Sequence, residues 1–353
     1  MTVFTVISDF LLYAAFAFIA GSIFLQFIPA PKKPVLHHSR KLLMMCVAGI
    51  VVFSAAPVIE LAAYLADFQG WPQSIITAVT DYRTGQGWML TVLVSIIFGF
   101  ALYFNASKYV LAFYIMLLLL LVGFYSHVST LDLWMGSLSH FVHFLFITLW
   151  AGILLHVAWL SKDRADWRAF LKWFTPFALF CMAAIITSGI VIMFFFVEPA
   201  DYANSWVLPY GQTLLLKHLS IIPLLAAAFA NGFMNRKQIF ERSWLRMESF
   251  LLLLVFILTA FMSKQAPPHD VNETLRMEGT AFFLKMMKGD QYIPVAASLD
   301  WSLNGILLIA FSLLFLAALL IGYSRKISAW LALLFGIGFV ICCYTGLMLN
   351  MVF

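Results

Sequence analysis

The stretch SHVSTLDLWMGSLSHFVHFLFITLWAGILL, residues 126–155, decides how this chain is read. Its second half is apolar and carries no formal charge. Three of the chain's eight histidines, His127, His140 and His143, nevertheless fall within it, and Asp132 is its one charged residue. An imidazole at the mouth of an apolar run is costly unless it is used or satisfied. His140 and His143 are three apart, so a helix from about Ser137 puts them on one face, one turn apart. His127 can reach back to them across a short turn. Trp150 and Gly152 lie two turns deeper, where the small residue lets another helix approach closely.

Composition sets the class around that stretch. The chain has 353 residues, 63% hydrophobic and 10% charged, with a mean hydropathy of +0.97. An ordinary soluble domain is about 25% charged, so this is an integral membrane protein and an all-α helix bundle. Cys46, Cys181, Cys342 and Cys343 all sit inside apolar runs without a CxxC pair and read as packing residues. The net charge of +5 is distributed along loops in a way that argues against nucleic acid as a partner and for a lipid bilayer.

Apolar runs near twenty residues give ten expected spans: Phe10 to Ile28, Leu42 to Leu65, Gly87 to Phe104, Tyr109 to Tyr125, Ser137 to Leu160, Phe170 to Val197, Gln212 to Phe233, Leu245 to Met262, Ser302 to Ile321 and Ile327 to Leu349. Alternate connections are basic, with Lys32, Lys33, Arg40 and Lys41; Lys108; Lys162, Arg164, Arg168 and Lys172; Arg236, Lys237, Arg242 and Arg246; and Arg325 with Lys326. Those five hold 15 of the 21 basic residues and, with Glu248 at the edge of the eighth span, 4 of the 16 acids. The positive-inside rule makes them cytoplasmic and puts both termini, and the histidine stretch, outside. The first span has no basic residue before it and a basic cluster after it, the reverse of a secretory signal, so it is expected to stay as a helix.

The longest polar connection, from Ser263 to Trp301, marks a boundary. Residues 1–266 are expected to form a membrane domain of eight helices, 267–301 an extracytoplasmic loop, and 302–353 two C-terminal transmembrane helices. A faint duplication runs through the first eight: AGSIF at 20–24 matches AGILL at 151–155, and TGQGWMLT at 84–91 matches YGQTLLLK at 210–217. Four helices per copy make a parallel repeat. The competing reading is that apolar segments resemble one another by composition. In that alignment His143 answers to Leu12, Lys217 to Thr91 and His218 to Val92, so the chemistry belongs to the second copy.

Lys217 and His218 lie about one and a half turns into the seventh span, His143 at similar depth in the fifth, and Glu60 in the outer half of the second. His156, near the inner end of the fifth span, reads as an isolated interfacial residue. Neutral imidazole is a ligand for copper, zinc, nickel and haem iron, so His127, His140 and His143 are the candidate metal ligands. The alternative for these histidines is interhelical hydrogen bonding or a wet interface. Met89, Met135 and Met262 fall near outer helix ends, but sixteen methionines in an apolar chain are mostly packing.

SHVST at 126–130, HFLFITLWAGILL at 143–155, FTPFALFCMAAIITSG at 174–189, PYGQTLLLKHLSIIPLLAAAFANGFMNR at 209–236 and ESFLLLLVFILTAFMSKQAPP at 248–268 succeed one another in order. Together with RTGQGW at 83–88 they resemble the copper resistance protein D family of bacterial inner-membrane copper transport proteins, over roughly Leu11 to Pro268. The last two helices lie beyond the resemblance. It implies a multi-pass protein of the bacterial cytoplasmic membrane that takes up copper ions, of either valence, from the outer face. The outer histidines capture the ion, and a polar path of Glu60, Lys217 and His218 lies between helices. An extracytoplasmic copper chaperone is the partner the resemblance suggests. Lys217 has no assigned role, because an ammonium repels a cation; pairing with Glu60 is one resolution. No P-loop or phosphorylatable Asp motif is present, so passage is driven by a gradient or by metal handover, and no enzyme activity is expected. Two alternatives stand beside this reading. A b-type haem wants two histidines on different helices at one depth, which His143 and His218 satisfy, and an assembly factor would hold copper without transporting it.

Overall fold

A computed structural model describes residues 3–36, 39–161, 167–235 and 240–353. Lys162, Arg164, Arg236 and Lys237 of the basic connections lie outside the described residues. The chain is a polytopic helical membrane bundle. Nine helical segments among the described residues are long and apolar enough to cross a membrane, and a shorter apolar helix, Lys108–Phe124, stands where the fourth span is expected.

The chain divides into two compact units, Met1–Phe195 and Phe196–Phe353. The first unit is built round α1 (Val3–Leu25), which packs on α2 (Arg40–Ser54) and on two helices from further along the chain, 108–124 and 133–155. α2 and α3 (Ala56–Gln69) cover one expected span and are broken at Ala55, where Pro57 in the first turn of α3 lacks an amide to continue the ladder. Gly70, with φ of 77°, ends α3. The short amphipathic α4 (Trp71–Thr80) leads into α5 (Arg83–Tyr103), and α6 (Lys108–Phe124) starts at a Ser107 cap whose hydroxyl accepts from the Val110 amide. Phe16, Ile19, Ile50, Phe98, Leu118 and Leu119 form the centre of this unit.

α7 (Val128–Leu131) is one turn, and α8 (Leu133–Leu155) begins four residues earlier than the apolar run suggests. The reason is Asp132, whose carboxylate accepts from the amides of Trp134 and Met135 at 3.0 and 2.8 Å and so starts the helix at Leu133. α8 ends in a π turn, His156–Leu160. α9 (Trp167–Phe196) runs for 30 residues with Pro176 inside it.

In the second unit α10 (Pro209–Phe229) opens on Pro209 and closes in a π turn, Ala230–Met234, and α11 (Arg242–Met262) packs along it. The long polar connection after α11 is structured. α12 (Val271–Glu278) is capped by Asp270, α13 (Phe282–Lys288) comes next, and a two-residue strand β1 (Ser298–Leu299) pairs antiparallel with β2 (Met351–Val352). Between them α14 (Leu303–Ser324) and α15 (Ala329–Asn350) form a hairpin that packs on α10 and α11. Trp206, Leu215, Leu219, Phe339, Tyr344 and Met348 share one apolar cluster. The Tyr344 hydroxyl donates to Gln212 Oε1 at 2.9 Å within this packing.

Candidate functional site

α8 carries the central group of the first unit. His143 is half-buried, and its Nδ1 lies 3.0 Å from the Ile185 carbonyl and 3.3 Å from the Ser188 hydroxyl, both on α9. A carbonyl only accepts, so Nδ1 carries the proton and Nε2 is the basic nitrogen of the neutral ring. Gly189 permits this approach: a Cβ there would stand 3.2 Å from His143 Cε1. Metal-ligating histidines are commonly oriented by such a hydrogen bond to one ring nitrogen.

His140 is half-buried one turn earlier, its ring 6.3 Å from that of Phe144. His127 is exposed, just ahead of α7, and its carbonyl accepts from the Thr130 hydroxyl. Among the described residues no three His, Cys, Asp or Glu side chains converge as a metal-ligand group. The structure thus places His140 and His143 on one helix but does not gather them with His127 as a closed set. Glu60 is exposed on α3 in the first unit, while Lys217 and His218 are half-buried on α10 in the second. Met89 and Met135 are exposed; Met262 packs against the cluster of Val197, Tyr210 and Leu214.

His156 corrects the sequence reading. It is 0% exposed rather than isolated, donates from Nδ1 to the Gly152 carbonyl at 2.7 Å, and lies 4.4 Å ring to ring from Phe18. The close crossing of α1 and α8 brings Phe18 over a ring that the apolar pattern alone assigns to the helix end.

Tyr202 is a site residue that the sequence reading missed. It precedes α10 in the connection after α9, yet its hydroxyl meets His218 Nδ1 at 2.7 Å. Burial pushes the Tyr202 phenol up to about 12, so it stays neutral at physiological pH. A phenol donates or accepts, so His218 can present either tautomer, unlike His143. Nothing in sequence spacing flags a tyrosine sixteen residues away. Ser188 was missed for a similar reason, since one serine in an apolar run carries no pattern.

The family model described as Copper resistance protein D matches residues 168–262, which is essentially α9 to α11. That segment is similar to the copper resistance protein D family. The segment contains Ile185 and Ser188, which hold the His143 ring, as well as Tyr202, Lys217 and His218; His127, His140 and His143 precede it. The copper transport protein CutJ of Bacillus subtilis (strain 168) is 27% identical over 168 residues, a match that covers 44% of this chain and 30% of CutJ. The chain therefore spans about a third of the length of that curated relative. No solved structure matches the chain.

Proposed function

We propose that this protein takes copper ions from the outer face of the bacterial cytoplasmic membrane and hands them inward. The observation that carries the reading is the His143 imidazole, held at Nδ1 by the Ile185 carbonyl of α9 with Nε2 as its basic nitrogen. The family match and the name of the copper transport relative support copper as the cargo. His127, exposed ahead of α7, makes first contact, and His140 and His143 receive the ion in turn along α8. Such an open set suits a transported ion, which must be bound well enough to enter and weakly enough to leave. A closed three-ligand cage would retain it.

Two measurements test this. Copper accumulation in cells with and without the protein separates transport from copper holding, and metal analysis of protein purified without chelator reads occupancy. A stoichiometric Soret band in place of bound copper would replace this reading with the haem alternative.

A further inference from the structure

We propose that Glu248 and Asn231 form an intramembrane proton-binding site in the second unit. Glu248 lies two turns into α11, at the head of the apolar run ESFLLLLVFILTAF, and is 3% exposed. Its Oε2 accepts from Asn231 Nδ2 at 2.7 Å, and Asn231 is 5% exposed. Among the described residues no cationic side chain pairs with this carboxyl.

Asn231 stands in an irregular turn. α10 is regular to Phe229, and the π turn Ala230–Met234 then adds a residue to the ladder, turning the subsequent residues by about 100°. Pi turns of this kind are commonly found at functional positions. The amide completes a complementary pair, because its Nδ2 donates to either form of the acid, while its Oδ1 is an acceptor that only the protonated acid can use.

The residue choice argues for proton exchange over structure. A glutamine at 248 would accept the same hydrogen bond without the cost of a carboxylate in an apolar site next to a neutral partner. An acid there has a use when it gains and loses a proton.

The charged and titratable groups on the surrounding elements are few. α11 carries Arg242 and Arg246 at its foot, preceded by Glu241. α14 contributes Tyr323, whose ring meets Trp244 at 4.8 Å, and is succeeded by Arg325 and Lys326. α15 has no titratable residue before Cys342, and on α10 the first such residues are His218 and Lys217, about 20 Å along the helix from Asn231. None of these forms a hydrogen bond or ion pair with Glu248 among the described residues.

The test is infrared difference spectroscopy on the full chain in lipid nanodiscs, stepped through a pH titration in water and in deuterium oxide. Wild type should show a protonated-carboxyl band that shifts on deuteration, Glu248→Gln should lose that band, and Asn231→Ala should move its midpoint. Identical spectra for wild type and Glu248→Gln would overturn the site, and so would an unmoved midpoint in Asn231→Ala. Glutamine keeps the size of the side chain and the bond to Asn231, so that variant is expected to fold. The readout needs no copper, so its outcome is separate from that of the transport reading.

Discussion

Gly21 of α1 and Gly152 of α8 stand backbone to backbone. A Cβ on Gly21 would lie 2.6 Å from the Gly152 Cα, and one on Gly152 would lie 2.8 Å from the Gly21 Cα and overlap the Ala17 carbonyl. These are the glycines of AGSIF and AGILL, the two matched motifs of the first unit, and they meet each other. The second motif pair behaves in parallel. Gly85 and Gly211 each sit in the first turn of a helix, α5 and α10, and each is pressed on a carbonyl of the segment before it, Ala78 and Ser205.

The crossing predicts a steep cost for any side chain. Gly152→Ala should lower the thermal midpoint of the purified protein, with a loss of about 1–3 kcal/mol for forcing two packed backbones apart. Gly99→Ala, where nothing stands within 4 Å of the added carbon, is the matched control. Equal midpoints for the two variants would show that the crossing tolerates a methyl group.

His143→Ala should abolish copper-dependent uptake while protein abundance stays near wild type, because the ring's neighbours on α9 can close over a half-buried site. His156→Ala acts differently. Removing a fully buried ring from beneath Phe18 should cost about 3 kcal/mol of stability and lower abundance. Copper bound per inserted molecule should be unchanged in the His156 variant, and metal analysis normalised to insertion separates the two effects.

Copper affinity should fall as pH drops below ~6.5, since free imidazole protonates there and the proton takes the lone pair that the metal needs. The Tyr202 phenol, pushed up to about 12, keeps its proton throughout that window and contributes no step. Copper binding measured from pH 5 to 8 that stayed flat would speak against histidine ligands.

Topology reporters placed after Lys33 should read cytoplasmic, and one near Glu273 in α12 should read external. An external reading after Lys33 would turn the histidine end inward and with it the direction of uptake.

Truncation after Pro268 removes α14 and α15 together with the Tyr344 bond to Gln212. His127, His140 and His143 all lie in Met1–Phe195, so the inserted truncation should still bind copper. Its second unit should be less protease-resistant, because Leu215, Leu219 and Trp206 lose their cover of Phe339, Tyr344 and Met348. Loss of binding in a correctly inserted truncation would show that the last helices help complete the site.

The sequence by itself determined the class and the succession of helices. Backbone groups in hydrocarbon must be satisfied within the segment, so a run of about twenty apolar residues has little choice but a helix, and each of the ten expected spans has a helix at its place. The resemblance to the copper resistance protein D family was legible for the same reason, since the motifs that carry it lie along those helices in order. The tertiary structure alone decided what each polar side chain meets. Apolar helices lack the polar stripe that would say which face turns inward. Nothing in the pattern showed that His156 lies under Phe18, that Tyr202 reaches His218, or that Asn231, in a π turn, bonds to Glu248. Those contacts depend on where glycines let backbones close and where a turn gains one residue, and both are set by packing between segments far apart in the chain.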